Sequence, residues 1–97
     1  MNPVEIFKGT EIKISYLTSN QKLPFLVFTG SGVSALNADD QNYTSDYRYT
    51  LEYYFDIKDE DKERRIEEIL NEKHIPWEKS EDVRIDSEKI NVIYYNI

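Results

Sequence analysis

Asp46-Tyr-Arg-Tyr-Thr-Leu-Glu-Tyr-Tyr-Phe55 is the stretch on which the fold turns. Tyr47, Tyr49, Leu51, Tyr53 and Phe55 alternate with Asp46, Arg48, Thr50 and Glu52, the two-residue period of a strand with one face buried; only Tyr54 breaks it. From Asp59 the period lengthens. Ile66, Ile69, Leu70 and Lys73 fall at i, i+3, i+4 and i+7, one stripe on an otherwise charged helix. Asp59 is placed to cap that helix, with Glu60 and Asp61 where the helix dipole favours negative charge. Pairs of Glu60 with Arg64 and Asp61 with Arg65 are expected along it, and Ile75-Pro76 should end it, because the residue before a proline avoids the helical region.

The flanking chain adds strands. Asn2-Pro3 ahead of Val4, Ile6, Phe7 and Gly9 has the layout of a short helix, with Asn as cap, Pro in the first position and Gly after the end. Thr10 to Leu17 alternates Ile12, Ile14 and Tyr16 with Glu11, Lys13 and Ser15, a half-buried strand, and Thr18 to Pro24 reads as a polar turn. Phe25 to Thr29 is a continuous apolar run, as in a strand covered on both faces near a sheet centre, and forms the second arm of a hairpin with the preceding strand. Gly30 to Ser45 is expected to be a long irregular segment of functional weight, since structureless connections beyond about 12 residues are uncommon. Trp77 to Ser80 is a candidate short strand. Glu88 to Ile97 closes the sheet, with Ile90, Val92 and Tyr94 on one face and Ile93, Tyr95 and Ile97 on the other.

The expected architecture is therefore a single α+β domain spanning residues 1–97. It is a mostly antiparallel sheet of four to five strands, covered by one main helix plus a short N-terminal helix, with Phe25, Val27, Leu51, Ile66, Ile69 and Leu70 in the core. At 97 residues, the chain has little surface to spare for a second core. It has no cysteine, which excludes disulfides and thiolate metal sites. No apolar run approaches the ~18 residues of a membrane span, so no membrane partner is expected. Nor is there the basic and apolar layout of a signal peptide. The net charge of −7 argues against general nucleic-acid binding, which draws its affinity from Lys and Arg neutralising phosphates. Eight tyrosines exceed what one small core needs, and tyrosine suits protein interfaces.

Candidate chemistry thins out on inspection. Gly30-Ser-Gly32 lacks the lysine and spacing of a phosphate-binding loop and reads as a flexible strand exit. His74 is the chain's one histidine and has no companion ligand for a transition metal. Asp39, Asp40 and Asp46 lack the alternating spacing of a calcium loop. No serine sits in a nucleophile elbow, and no carboxylate pair stands apart from the many surface ones. No enzyme activity, cofactor or metal is expected.

Leu23-Pro-Phe-Leu-Val-Phe28, Leu36-Asn-Ala-Asp39 with Tyr43, and a third set from Tyr49 to Tyr95 recur in this order in a known family. The third set holds Leu51-Glu-Tyr-Tyr, Lys58-Asp59, Ile66-Glu-Glu-Ile-Leu, Ile75, Trp77-Glu-Lys-Ser-Glu81, Val83, Ile85 and Ser87-Glu-Lys89. Over about four fifths of its length, Tyr16 to Tyr95, the chain resembles the tail terminators, tail-completion proteins of long-tailed phages and prophages of Gram-positive bacteria. It departs from them at residues 1–9, which leave room only for a short helix. The resemblance implies a structural protein of the virion tail, assembled in the host cytoplasm. As a homo-hexameric ring it would cap the head-proximal end of the tail tube, stop addition of major tail protein and present the surface that joins the head. Its partners would be itself, the major tail protein and a neck or head-completion protein, and DNA would pass through without specific binding. Val33, Leu36, Asp39, Asp40 and Tyr43 are the expected subunit or tail-tube interface.

Two other classes compete. A neck or head-closure protein shares the size and ring habit. A small acidic inhibitor mimicking nucleic acid fits the net charge, but Lys62-Glu-Arg-Arg-Ile-Glu-Glu interleaves its signs like an ordinary solvated helix face.

Overall fold

Asn2 caps the first helix: its side-chain oxygen accepts the Val4 N–H at 2.8 Å, and Pro3 occupies the first position of helix α1, Pro3–Phe7. Ile6 and Phe7 on this helix are buried. The computed structural model describes the backbone of residues 2–17, 22–38 and 41–97, and the side chains of all of these except 32–47. The expected polar turn at Thr18 to Pro24 therefore falls largely outside the described residues.

Strand β1, Ile14–Tyr16, is shorter than the alternation of Thr10 to Leu17 implied. The Thr10 hydroxyl donates to the Phe7 carbonyl at 2.7 Å and accepts from the Ile12 N–H at 3.2 Å, holding residues 10–12 in a turn instead of a ladder. Nor does β1 form a hairpin with β2, Phe25–Ala38. The two are parallel, with Ile14 opposite Leu26 and Tyr16 opposite Phe28. Alternation reports which face of a strand is buried and is blind to strand direction, so the sequence could not tell this pairing from a hairpin.

Gly30 to Ser45 is not an irregular loop. β2 runs on to Ala38 and pairs antiparallel with β3, Gln41–Phe55, from Phe25 opposite Tyr54 out to Ala38 opposite Gln41. The register shifts at Gly30/Gly32 and again at Leu36/Asn37, leaving Ser31 and Tyr43 unopposed. Each such bulge moves the pleat by one residue, so the alternation that marks a strand in sequence is lost.

Helix α2, Glu60–Glu72, starts where Asp59 accepts the Asp61 and Lys62 N–H groups at 3.1 and 3.4 Å. It ends earlier than Pro76 would require. His74 takes a left-handed conformation (φ 57), its N–H bonding the Asn71 carbonyl at 3.0 Å and the Ile75 N–H bonding that of Leu70 at 2.9 Å. This reciprocal pair satisfies the last helical carbonyls, and Ile75 folds back onto the core. The helix pairs differ too: Arg64 meets Asp61 at 2.9 Å, and Arg65 reaches Glu11 and Glu68. Lys73, in the sequence stripe, is the exposed C-cap.

The remaining strands are β4, Glu78–Lys79, β5, Val83–Ile85, and β6, Ile90–Asn96. The sheet is a small α+β domain's mixed sheet of six strands, ordered β1-β2-β3-β6-β4, with β5 beside β4 on β6. Both helices cover one face. Two rows across the ladder, Leu26–Tyr53–Ile93 and Phe28–Leu51–Tyr95, meet Ile6, Phe7, Ile66, Ile69 and Leu70 there. On the opposite face lie the rows Phe25–Tyr54–Val92 and Val27–Glu52–Tyr94. Val27 and Val92 are buried on that side, whereas Phe25 is half-buried and stands outside the main cluster.

Candidate functional site

The hairpin is two-stranded for much of its length. β1 leaves β2 at Phe28, and the last bonds from the C-terminal strand join Ile97 to Tyr49. Beyond these, among the described residues, Gly30–Ala38 and Gln41–Arg48 pair only with each other, a ribbon that draws the molecule out to 51 Å. Of the sequence's interface candidates, Val33 opposes Tyr47, Leu36 opposes Thr44, and Tyr43 is the unopposed residue of the second bulge. The ribbon thus gathers these three on one projection. Asp39 and Asp40 lie outside the described residues.

At the other end of β2, a cleft of about 290 Å³ opens between the turn before β1, the start of β2 and the first turns of α2. Ile12, Phe25, Leu26, Tyr53 and Ile66 line it, and Glu11, Lys13, Lys62 and Arg65 stand around them. Arg65 is held by Glu11, whose carboxyl that guanidinium keeps below the usual range. Lys13 and Lys62 make no ion pair among the described residues. Tyr53 is buried to 4% exposure and its hydroxyl has no hydrogen-bond partner among those residues.

A third feature is a buried carboxylate. Glu63 follows the helix's apolar stripe at 63, 66 and 70 and is 2% exposed. Lys79 of β4 meets it at 2.8 Å and Lys58 at 2.9 Å, and Lys58 extends the network to Asp82 at 3.0 Å. Lys79 also donates to Glu67 at 2.9 Å, and the Tyr95 hydroxyl donates to the same carboxylate at 2.8 Å. Burial pulls the Lys79 ammonium down, but hydrogen bonds to Glu63 and Glu67 outweigh it and raise its pKa; the hydrogen bond to Glu63 does the same for Lys58. Both cations stay charged. Trp77 adds a ring edge against Tyr95 at 5.9 Å and donates to Asn71 at 2.9 Å. With two ammonium groups on its carboxylate, Glu63 is a clamp that fastens β4 and the β4–β5 turn to the helix. Among the described residues, no group of three or more His, Asp or Glu could hold a metal ion.

Sequence reasoning missed the cleft and the clamp. Glu63 was readable, since it lies three residues before Ile66 on the apolar stripe. Lys13 and Lys62 were not, because only the parallel β1–β2 pairing brings them to one cleft. Comparison with protein-family models, curated proteins and solved structures finds no match for the chain.

Proposed function

We propose that the chain is a tail terminator, a structural protein that forms a homo-hexameric ring on the head-proximal end of a phage or prophage tail tube. The ring ends polymerisation of the major tail protein and offers a surface to the neck or head-completion protein, while DNA passes through its centre. The observation that carries the reading is the ribbon of Gly30–Ala38 and Gln41–Arg48, which among the described residues pairs with no other strand. A two-stranded ribbon alone is marginally stable in water, so a partner that covers it gives it a reason to exist. The residues of the resemblance are spread over both parts: Leu36 and Tyr43 on the ribbon, and Leu51, Ile66, Trp77 and Val83 on the body.

The test is electron microscopy of particles assembled without this protein. Tubes should exceed their normal length, because nothing stops subunit addition. Tails of normal length that lack heads would identify a neck protein instead, and normal infectious particles would overturn the reading.

A further inference from the structure

β1 is the outermost strand of the sheet, paired with β2 alone among the described residues, and it starts at the rim of the cleft, one residue after Lys13. We propose that the cleft and this edge form one docking surface for an extended segment of a partner protein in which an apolar side chain sits between carboxylates. The segment adds a strand beside β1, its apolar side chain enters the cleft, and its carboxylates meet Lys13 and Lys62. This contact does not depend on the role given to the ribbon.

The edge supplies the backbone. The Leu17 N–H bonds the Phe28 carbonyl at 2.9 Å. Backbone groups of successive strand residues point to opposite sides, so Ser15 also faces β2, while Ile14 and Tyr16 turn their N–H and C=O groups outward. Such an edge is a template for an incoming strand. Three residues offer few bonds, so side-chain contacts have to add to them. Tyr16 lies on the cleft's side of the sheet, its ring 5.3 Å from that of the core residue Phe28, yet it is 60% exposed, and Leu17 beside it is 57% exposed. A segment leaving the cleft along β1 lies against Tyr16 and ends near Leu17.

The cleft supplies the anchor and the charge. Ile12, Leu26 and Ile66 floor a cavity of about 290 Å³, at the lower end of the range for small ligands and enough for one side chain with its flanks. Glu11, Lys13, Lys62 and Arg65 surround it, three cations and one anion on a chain whose net charge is −7. Arg65 and Glu11 hold each other, which leaves Lys13 and Lys62, both exposed and without an ion pair among the described residues. An apolar floor inside a charged rim is the layout of an interface anchor: the floor gives affinity, and the rim gives register and rate. A carboxylate on each side of the anchor answers the two ammonium groups. A basic segment meets repulsion there.

The probes are acetyl-Glu-Phe-Glu-Val-Thr-Val-amide and the same sequence reversed, since an added strand can run either way, each with a counterpart in which lysine replaces glutamate. They are titrated into the isotope-labelled full chain and followed by NMR. One of the acidic peptides should shift the Ile14 and Tyr16 amides and the Ile12 and Ile66 methyl groups, and it should bind about tenfold tighter than its lysine counterpart. Methylating its backbone nitrogens should weaken it several-fold, because the edge bonds are lost. The double variant Lys13→Glu with Lys62→Glu leaves the core untouched and places an acid where the start of α2 favours one. It should melt as the parent does and reverse the preference between the peptides. The proposal is overturned if neither acidic peptide binds at millimolar concentration, if binding ignores charge, or if it survives backbone methylation unchanged. It also falls if sedimentation shows the free chain dimerising in a way that Tyr16→Pro abolishes, since the occupant of the edge is then a second copy.

Discussion

Tyr53, Tyr54 and Tyr95 tie the stability of the molecule to alkaline pH. Burial pushes the Tyr53 hydroxyl up to about 12, with the carboxylates of Asp59 and Glu63 adding to it. Burial also raises Tyr54 and Tyr95, whose hydroxyls donate to Glu52 and Glu67. In the unfolded chain, phenols ionise near pH 10 and lysines slightly above. The folded chain keeps protons that the unfolded chain has lost, so the slope of stability against pH is negative there. Stability should be full below about pH 9 and fall as pH rises past about 10. Urea midpoints measured from neutral pH into that range would check this, and a flat profile would refute it. Single substitutions separate the contributors. Tyr53→Phe removes an unpartnered buried hydroxyl while keeping the stacked contact with Phe55 at 5.3 Å, so it should stabilise the isolated protein by about 1 kcal/mol. Tyr95→Phe removes the donor that Glu67 uses and should cost about as much.

At the scale of elements, the ribbon is separable from the body. Its described backbone bonds beyond Thr29 and Tyr49 run only between its own strands, whereas the core rows end at Phe28, Leu51 and Tyr95. Replacing residues 34–46 by Asn-Gly keeps the Val33–Tyr47 pair and closes it with a turn suited to strand twist. The shortened protein should melt within about 1 kcal/mol of the full chain, yet fail to cap tails, as scored by tube length. If it still caps tails of normal length, or cannot fold, the ribbon is not the assembly element. The same element shows where the sequence was opaque. β3 from Asp46 and α2 were legible because their periods run almost unbroken, with Tyr54 the one exception in the strand, and Asp59 marks the boundary. The ribbon was hidden because the bulges at Ser31 and Tyr43 each flip the pleat, and because Ser34, Asn37, Asn42 and Thr44 look like loop residues when no core demands alternation. The parallel β1 was misread for another reason: periodicity reports which face is buried and never the direction of the chain. The interface candidates Val33, Leu36 and Tyr43 were picked for a loop, and they fall on a strand pair.

At the scale of the whole molecule, the net charge of −7 bears on the proposed ring, through which DNA would have to pass. Phosphates meeting a basic lining release counterions and bind, by a term that grows with each Lys or Arg contact. A channel built from this chain should therefore be acidic or neutral on balance, keeping DNA off its wall over the roughly 8 Å that physiological salt allows. The assembled form should then bind DNA no better than the dispersed subunit. Fluorescence anisotropy of a labelled duplex at low salt, where electrostatic binding is strongest, gives the comparison: no saturable binding by cross-linked rings, and at most weak, salt-sensitive binding by the subunit. Saturable binding by the ring at low salt that fades as salt rises would mean a belt of lysines and arginines lines the channel, and the charge argument would fail.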